Sequence, residues 1–166
     1  MYEFWKLRYV ILYCMPEKLV LKNLATLPGL MPLFLGELAL LENSGTATVL
    51  GLSGDLGAGK TTFVQALAAE LGVKEVVQSP TFTILKLYQT NHPQFKQLIH
   101  MDAYRIESLT ELGPLRLGEL LNTPETLFAI EWPEKIAEAL PGHILLKFKT
   151  ITKDEREVLI TKVDKN

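Results

Sequence analysis

The chain has 166 residues, 48% of them apolar and 22% charged, with a net charge of −2. A chain of this length buries about two-thirds of the surface it would expose unfolded, enough for one core. The near-neutral balance argues against binding DNA or RNA by broad phosphate neutralisation. The single cysteine, Cys14, excludes a disulfide framework and a zinc knuckle and fits a cytoplasmic setting.

The opening MYEFWKLRYVILYCMP is apolar but carries Glu3, Lys6 and Arg8. Its longest uncharged run, Tyr9 to Pro16, falls far short of the ~20 residues of a membrane span. It also lacks the small-residue cleavage site of a secretory signal. An edge strand, a peripheral amphipathic segment and an upstream extension ahead of a start at Met15 are all open. The extension is favoured, which makes residues 1–15 an appendage and 16–166 a single domain with no membrane role.

LVLKNLA (19–25) suggests a short first strand, and PLFLGELALLEN (32–43) a helix with Pro32 in its first turn and Asn43-Ser44-Gly45 at its stop. TATVLGL (46–52) reads as a buried strand. A helix over Thr61–Leu71 follows, with Phe63, Leu67 and Leu71 on one face and Gly72 as a left-handed cap. TFTILKLYQ (81–89), QLIHMDAY (97–104) and TLFAIEW (126–132) predict three more strands. Pro133 opens a helix to about Leu140, stopped by Pro141-Gly142. ILLKFKT (144–150) and EREVLIT (155–161) predict a terminal hairpin. The pattern specifies an α/β three-layer fold with a mainly parallel central sheet and antiparallel flanking strands.

Between the strand at 46–52 and the helix lies GLSGDLGAGKTT (51–62), which contains G-x-x-x-x-G-K-T at Gly54, Gly59, Lys60 and Thr61. A polyphosphate needs converging backbone N–H groups, and glycines at 54, 57 and 59 clear the approach and permit positive φ. The helix that follows adds free N–H groups and the positive end of its dipole. Lys60 reaches the β- and γ-phosphates, and Thr61 offers a hydroxyl to Mg²⁺. The strand–loop–helix context predicts a nucleoside-triphosphate site, ATP with Mg²⁺, formed by Asp55, Leu56, Gly57, Ala58, Gly59, Lys60, Thr61 and Thr62.

Turnover needs a placed metal and an oriented water. Ligands of an open parallel sheet gather at the C-terminal strand ends, and Asp102 and Glu131 each end an apolar strand there. Asp102 is assigned to the metal with Thr61. Glu131, a further metal-side oxygen, is assigned to orienting or deprotonating water, which makes it catalytic alongside Lys60. Trp132 either walls the site, meets a partner or packs in the core. His100 points to the same side as Asp102 if the strand is regular, either supporting it or simply half-buried. The segment Ser79, Pro80, Thr81, Phe82, Thr83 reads as a γ-phosphate-sensing switch or as a plain turn into a strand.

Together GDLGAGKTTF, SPTFT, HMDAYRIE and IEWPEKI resemble the TsaE family (older name YjeE), over about residues 19 to 150. The resemblance implies a small P-loop ATPase, slow alone, that cycles a TsaD–TsaB complex forming threonylcarbamoyladenosine beside the anticodon of tRNAs reading codons that begin with A. Contact with tRNA would be indirect. The family's P-loop lysine and threonine fall on Lys60 and Thr61, its metal-side aspartate on Asp102 and its essential glutamate on Glu131. Its aromatic neighbour falls on Trp132 and its switch on Ser79 to Thr83. Ala103, where a bulkier residue is common, and Pro114 within ELGPLRLGELL (111–121) depart from the pattern.

Three rivals belong to other classes, one of them a nucleotide-controlled binding module in which hydrolysis is incidental. A GTPase is suggested by EVLITKVD (157–164), close to a guanine-reading T-K-x-D, but no D-x-x-G follows the P-loop and the chain ends two residues later. A P-loop small-molecule kinase would need a basic lid, and Arg105 and Arg116 are the only arginines between the P-loop and residue 155.

Overall fold

A computed structural model describes residues 17–39 and 45–165 of the chain. The extension over 1–15, Cys14 and the helix stop at Asn43-Ser44 lie outside these residues.

Among the described residues seven strands form one sheet: β1 (Lys18–Leu21), β2 (Thr48–Ser53), β3 (Leu85–Gln89), β4 (Gln97–Asp102), β5 (Thr126–Glu131), β6 (His143–Thr150) and β7 (Arg156–Val163). Their order is β1-β7-β6-β2-β5-β4-β3. The central four, β6-β2-β5-β4, run parallel, while β7 and β1 on one side and β3 on the other are antiparallel. This is the α/β architecture of a P-loop NTPase, with the expected parallel centre and antiparallel flanks.

Alternation along the buried strands divides the core between the two faces of the sheet. Leu50 and Leu52 of β2 join Leu98, Leu127 and Leu146 under α1 (Leu27–Ala39) and α2 (Lys60–Glu70). Val49, Ile99, Met101, Phe128 and Ile130 face the other way, against Ile106, Leu112, Ile136 and the short α3 (Leu117–Leu121). Each fully buried leucine contributes about 1.5–3 kcal/mol. Phe63 of α2 meets Phe34 of α1 edge-on at 5.2 Å and Phe148 of β6 at 5.8 Å, which fixes α2 over the sheet.

Three elements differ from the sequence expectation. Helix α1 begins at Leu27, so Pro32 lies inside it rather than in its first turn. The start signal is Asn23, whose side chain accepts the Ala25 N–H at 2.9 Å and leads through a 3₁₀ turn into the helix. The strand expected from residue 81 begins at Leu85, because the Pro80 carbonyl accepts from both Thr83 and Ile84 N–H and folds these residues into a turn. After Pro133 the chain makes a 3₁₀ segment to Ala139 with a break at Ile136, not a regular helix. The cap at Gly72, with φ +76, stands as expected. Among the described residues no helix is long and apolar enough to cross a membrane.

Candidate functional site

Parallel pairing puts the C-terminal ends of β2, β5 and β4 on one rim. Leu52 pairs in register with Glu131, and Glu131 with Asp102, so both acids lie in a single row beside the strand that feeds the glycine loop. The loop is seated from below. Gly54 has φ +138, and a Cβ there would stand 2.5 Å from the Phe148 carbonyl oxygen. Gly54→Ala therefore lowers stability by about 2–4 kcal/mol, measured as a drop in the thermal unfolding midpoint; a midpoint equal to the parent's would mean that β6 yields to the methyl group. Gly59, with φ +105, caps α2 and would press a Cβ to 2.9 Å from Leu24.

These elements enclose a pocket of about 250 Å³. Of the expected residues, Leu56, Gly57, Gly59, Lys60, Thr61, Thr62, Ser79, Thr81, Asp102, Glu131 and Trp132 line it. Asp55 and Ala58 belong to the loop without lining the pocket, and Ala58 is buried beneath it. Pro80 and Thr83 shape the turn. Phe82 is 85% exposed and lies under the Arg105 guanidinium at 4.6 Å.

Lys60 is nearly enclosed. Its Nζ donates to the carbonyls of Gly54 (2.6 Å) and Asp55 (2.9 Å) and sits 4.1 Å from the centre of the Trp132 ring. Desolvation draws its pKa below the usual lysine value, against the opposing pull of Glu131, Glu134, Asp102 and Asp55. Trp132 reaches this place through a left-handed backbone (φ +59), held by its N–H on the Leu52 carbonyl at 3.0 Å. Its ring also meets Tyr104 at 5.2 Å.

The two acids are held differently. Asp102 Oδ2 accepts from the Ser79 hydroxyl (3.0 Å) and the Thr81 hydroxyl (2.7 Å), and Oδ1 from the Tyr104 N–H (3.0 Å). Glu131 Oε1 accepts from the Thr61 hydroxyl at 2.8 Å and meets His100 Nε2 at 2.9 Å. Among the described residues Glu131 Oε2 makes no bond. His100 is fully buried and bonds Glu131, not the Asp102 that its position in the sequence suggests. Its register partner is Ala129, whose small side chain leaves room for the longer Glu131 to reach back. No group of three or more His, Cys, Asp or Glu converges among the described residues. The oxygens gathered at the rim are those of Thr61, Asp102 and Glu131, hard donors of the kind that Mg²⁺ takes with phosphate oxygens.

The guanine-reading rival loses its geometry. Val163 pairs with His143 at the start of β6, so Thr161, Lys162 and Asp164 run to the rim opposite the glycine loop. Lys162 and Asp164 pair with each other there at 3.2 Å.

A family model described as threonylcarbamoyl adenosine biosynthesis protein TsaE matches residues 35–158. The chain belongs to the TsaE family. It is 43% identical over 116 residues to the TsaE protein of Bacillus subtilis, covering 69% of this chain and 70% of that one. It is 39% identical over 114 residues to the TsaE protein of Aquifex aeolicus, covering 68% and 75%. The crystal structure of Bacillus subtilis YdiB superposes with a TM-score of 0.67 at 33% identity, covering 88% of this chain and 84% of that one.

Within this TsaE-family site, sequence reasoning missed Leu24, Tyr104 and Arg156, and it did not foresee the partner of His100. Leu24 and Tyr104 line the pocket, from the first turn and from the loop after β4. Tyr104 stands in the D-A-Y-R run, and its aromatic character two residues past Asp102 was the available signal. The His100–Glu131 bond and the loop contact of Arg156 carry no local signal, because each joins segments far apart in sequence.

Proposed function

We propose that this TsaE-family chain binds ATP with Mg²⁺ and hydrolyses it, and that its nucleotide cycle drives a TsaD–TsaB complex in forming threonylcarbamoyladenosine on tRNA. The relatives are named for this pathway. The observation that carries the chemistry is Glu131, tied through Oε1 to the P-loop hydroxyl of Thr61, in register with Asp102 and, among the described residues, holding Oε2 unbonded.

The loop glycines leave backbone N–H groups open to the phosphates, and Lys60 meets them as a fixed cation. Thr61, Asp102 and Glu131 offer the oxygens for Mg²⁺. When bound, the ion neutralises charge on the β- and γ-phosphates. Glu131 Oε2 orients a water and accepts its proton as the water oxygen bonds to the γ-phosphorus; the bond to the bridging oxygen breaks, leaving ADP and phosphate. Ser79 and Thr81, both on Asp102 Oδ2, couple the 79–83 turn to that end of the site, which gives the switch reading its physical basis. Trp132 and Tyr104 cover the lysine side and limit water entry.

The test is ATP turnover of the purified chain, alone and with TsaD and TsaB. The expected result is slow turnover alone and a clear rise with the pair. A rate that the pair leaves unchanged contradicts the coupling.

A further inference from the structure

Arg156, the first residue of β7, is 8% exposed, and among the described residues it forms no ion pair. Every hydrogen bond it makes there goes to a backbone carbonyl. Nη1 donates to Thr152 (2.9 Å), Lys153 (3.2 Å) and Glu155 (3.1 Å), closing the turn between β6 and β7. Nε donates to Ala58 at 3.2 Å, inside the phosphate loop. A hairpin turn can be closed without a buried guanidinium, and burying one without a carboxylate costs free energy. The contact with Ala58 gives that cost a purpose.

A trans peptide directs its C=O and N–H to opposite sides. Fixing the Ala58 carbonyl on Arg156 turns the Gly59 N–H away from the guanidinium, and Gly59 is a pocket-lining residue. We infer that Arg156 is a positioning residue for phosphate binding: it locks the Ala58–Gly59 peptide with its N–H presented to the anion and sets a permanent positive charge behind the loop. The bound phosphates are then the counter-ion that Arg156 otherwise lacks. Arg156 acts through the loop backbone and touches no substrate. The inference rests on the nucleotide-site reading above.

Arg156→Met removes both the donor and the charge, and Arg156→Lys keeps the charge but loses the fork. Unfolding midpoints without nucleotide identify which variants fold. Calorimetry with Mg-ATP then gives Kd, and steady-state turnover gives KM and kcat. The expected result is a Kd and KM raised about tenfold in Arg156→Met and less in Arg156→Lys, with kcat falling by a smaller factor than affinity. If Arg156→Met does not fold, Arg156→Lys decides. A folded variant that binds Mg-ATP as tightly as the parent, or one that loses kcat with Kd intact, overturns the inference. A parent chain that binds no Mg-ATP overturns the nucleotide site itself and this inference with it, whereas a binding parent with equally binding variants overturns only the role of Arg156.

Discussion

Glu131→Ala is expected to keep Mg-ATP affinity within about threefold of the parent while turnover at saturation falls at least about 10²-fold. The two effects separate because of where Glu131 stands. It ends β5, one strand from the phosphate loop, and its bonds are to Thr61 and His100 rather than to the loop amides. Removing the carboxylate leaves Lys60, the loop glycines and the helix N-terminus in place, so the phosphates keep most of their partners. It also takes away the one carboxylate oxygen in the row of acids that has no bond among the described residues, the atom assigned to the water. Glu131→Gln is the companion variant. Its amide can still accept from Thr61, so it should fold and bind like the parent and still turn over slowly. Nucleotide binding by calorimetry and phosphate release together check both. Normal hydrolysis by Glu131→Ala would contradict the division of labour between the loop and the acids.

Lys60→Ala should act on the other half of the reaction, raising the Kd for Mg-ATP at least about 10²-fold. The lysine is held by two loop carbonyls and the Trp132 ring, so the cation is already positioned before nucleotide arrives. Little side-chain entropy remains to be lost on binding. Its partial desolvation strengthens its attraction for phosphate and costs stability in the free protein. Lys60→Ala also gives up the bonds to the Gly54 and Asp55 carbonyls, so its unfolding midpoint is measured beside its affinity to keep a binding defect distinct from a folding one. Affinity equal to the parent's in a folded Lys60→Ala chain would show that the phosphates lie elsewhere.

The phosphate loop was readable from residues 51 to 62 because its chemistry is local: glycine spacing, the preceding apolar strand and the following helix all lie within one stretch. The strand ends at Asp102 and Glu131 were readable for the same reason, each a carboxylate after an apolar run. Their pairing in register rests on sheet order, which the alternation of strands and helices constrains but does not name. What escaped depends on contacts between distant segments. Period-two geometry points His100 to the side of Asp102, as a support or simply as a half-buried residue, yet the side chain that reaches it comes from the neighbouring strand, over Ala129. Among the described residues Arg156 bonds only carbonyls, and a backbone acceptor leaves no mark on the sequence. The late start of β3 has a local cause instead: the Pro80 carbonyl captures the N–H groups three and four residues on, in a stretch whose turn and strand propensities are similar. The T-K-x-D run at the end of β7 shows the converse error. Its residues match a base-reading loop, but an antiparallel strand carries them to the wrong rim.

The central claim is that a magnesium triphosphate rests on the loop at Lys60 and Thr61 with Asp102 and Glu131 across from it. A crystal structure of the chain with Mg²⁺ and a non-hydrolysable ATP analogue tests this most directly. The account predicts the β- and γ-phosphates within hydrogen-bonding distance of Lys60 Nζ and the loop amides, the ion at the Thr61 hydroxyl, and both carboxylates on the ion's side. A triphosphate bound away from this loop, or Glu131 turned out of the pocket in the occupied site, would contradict it.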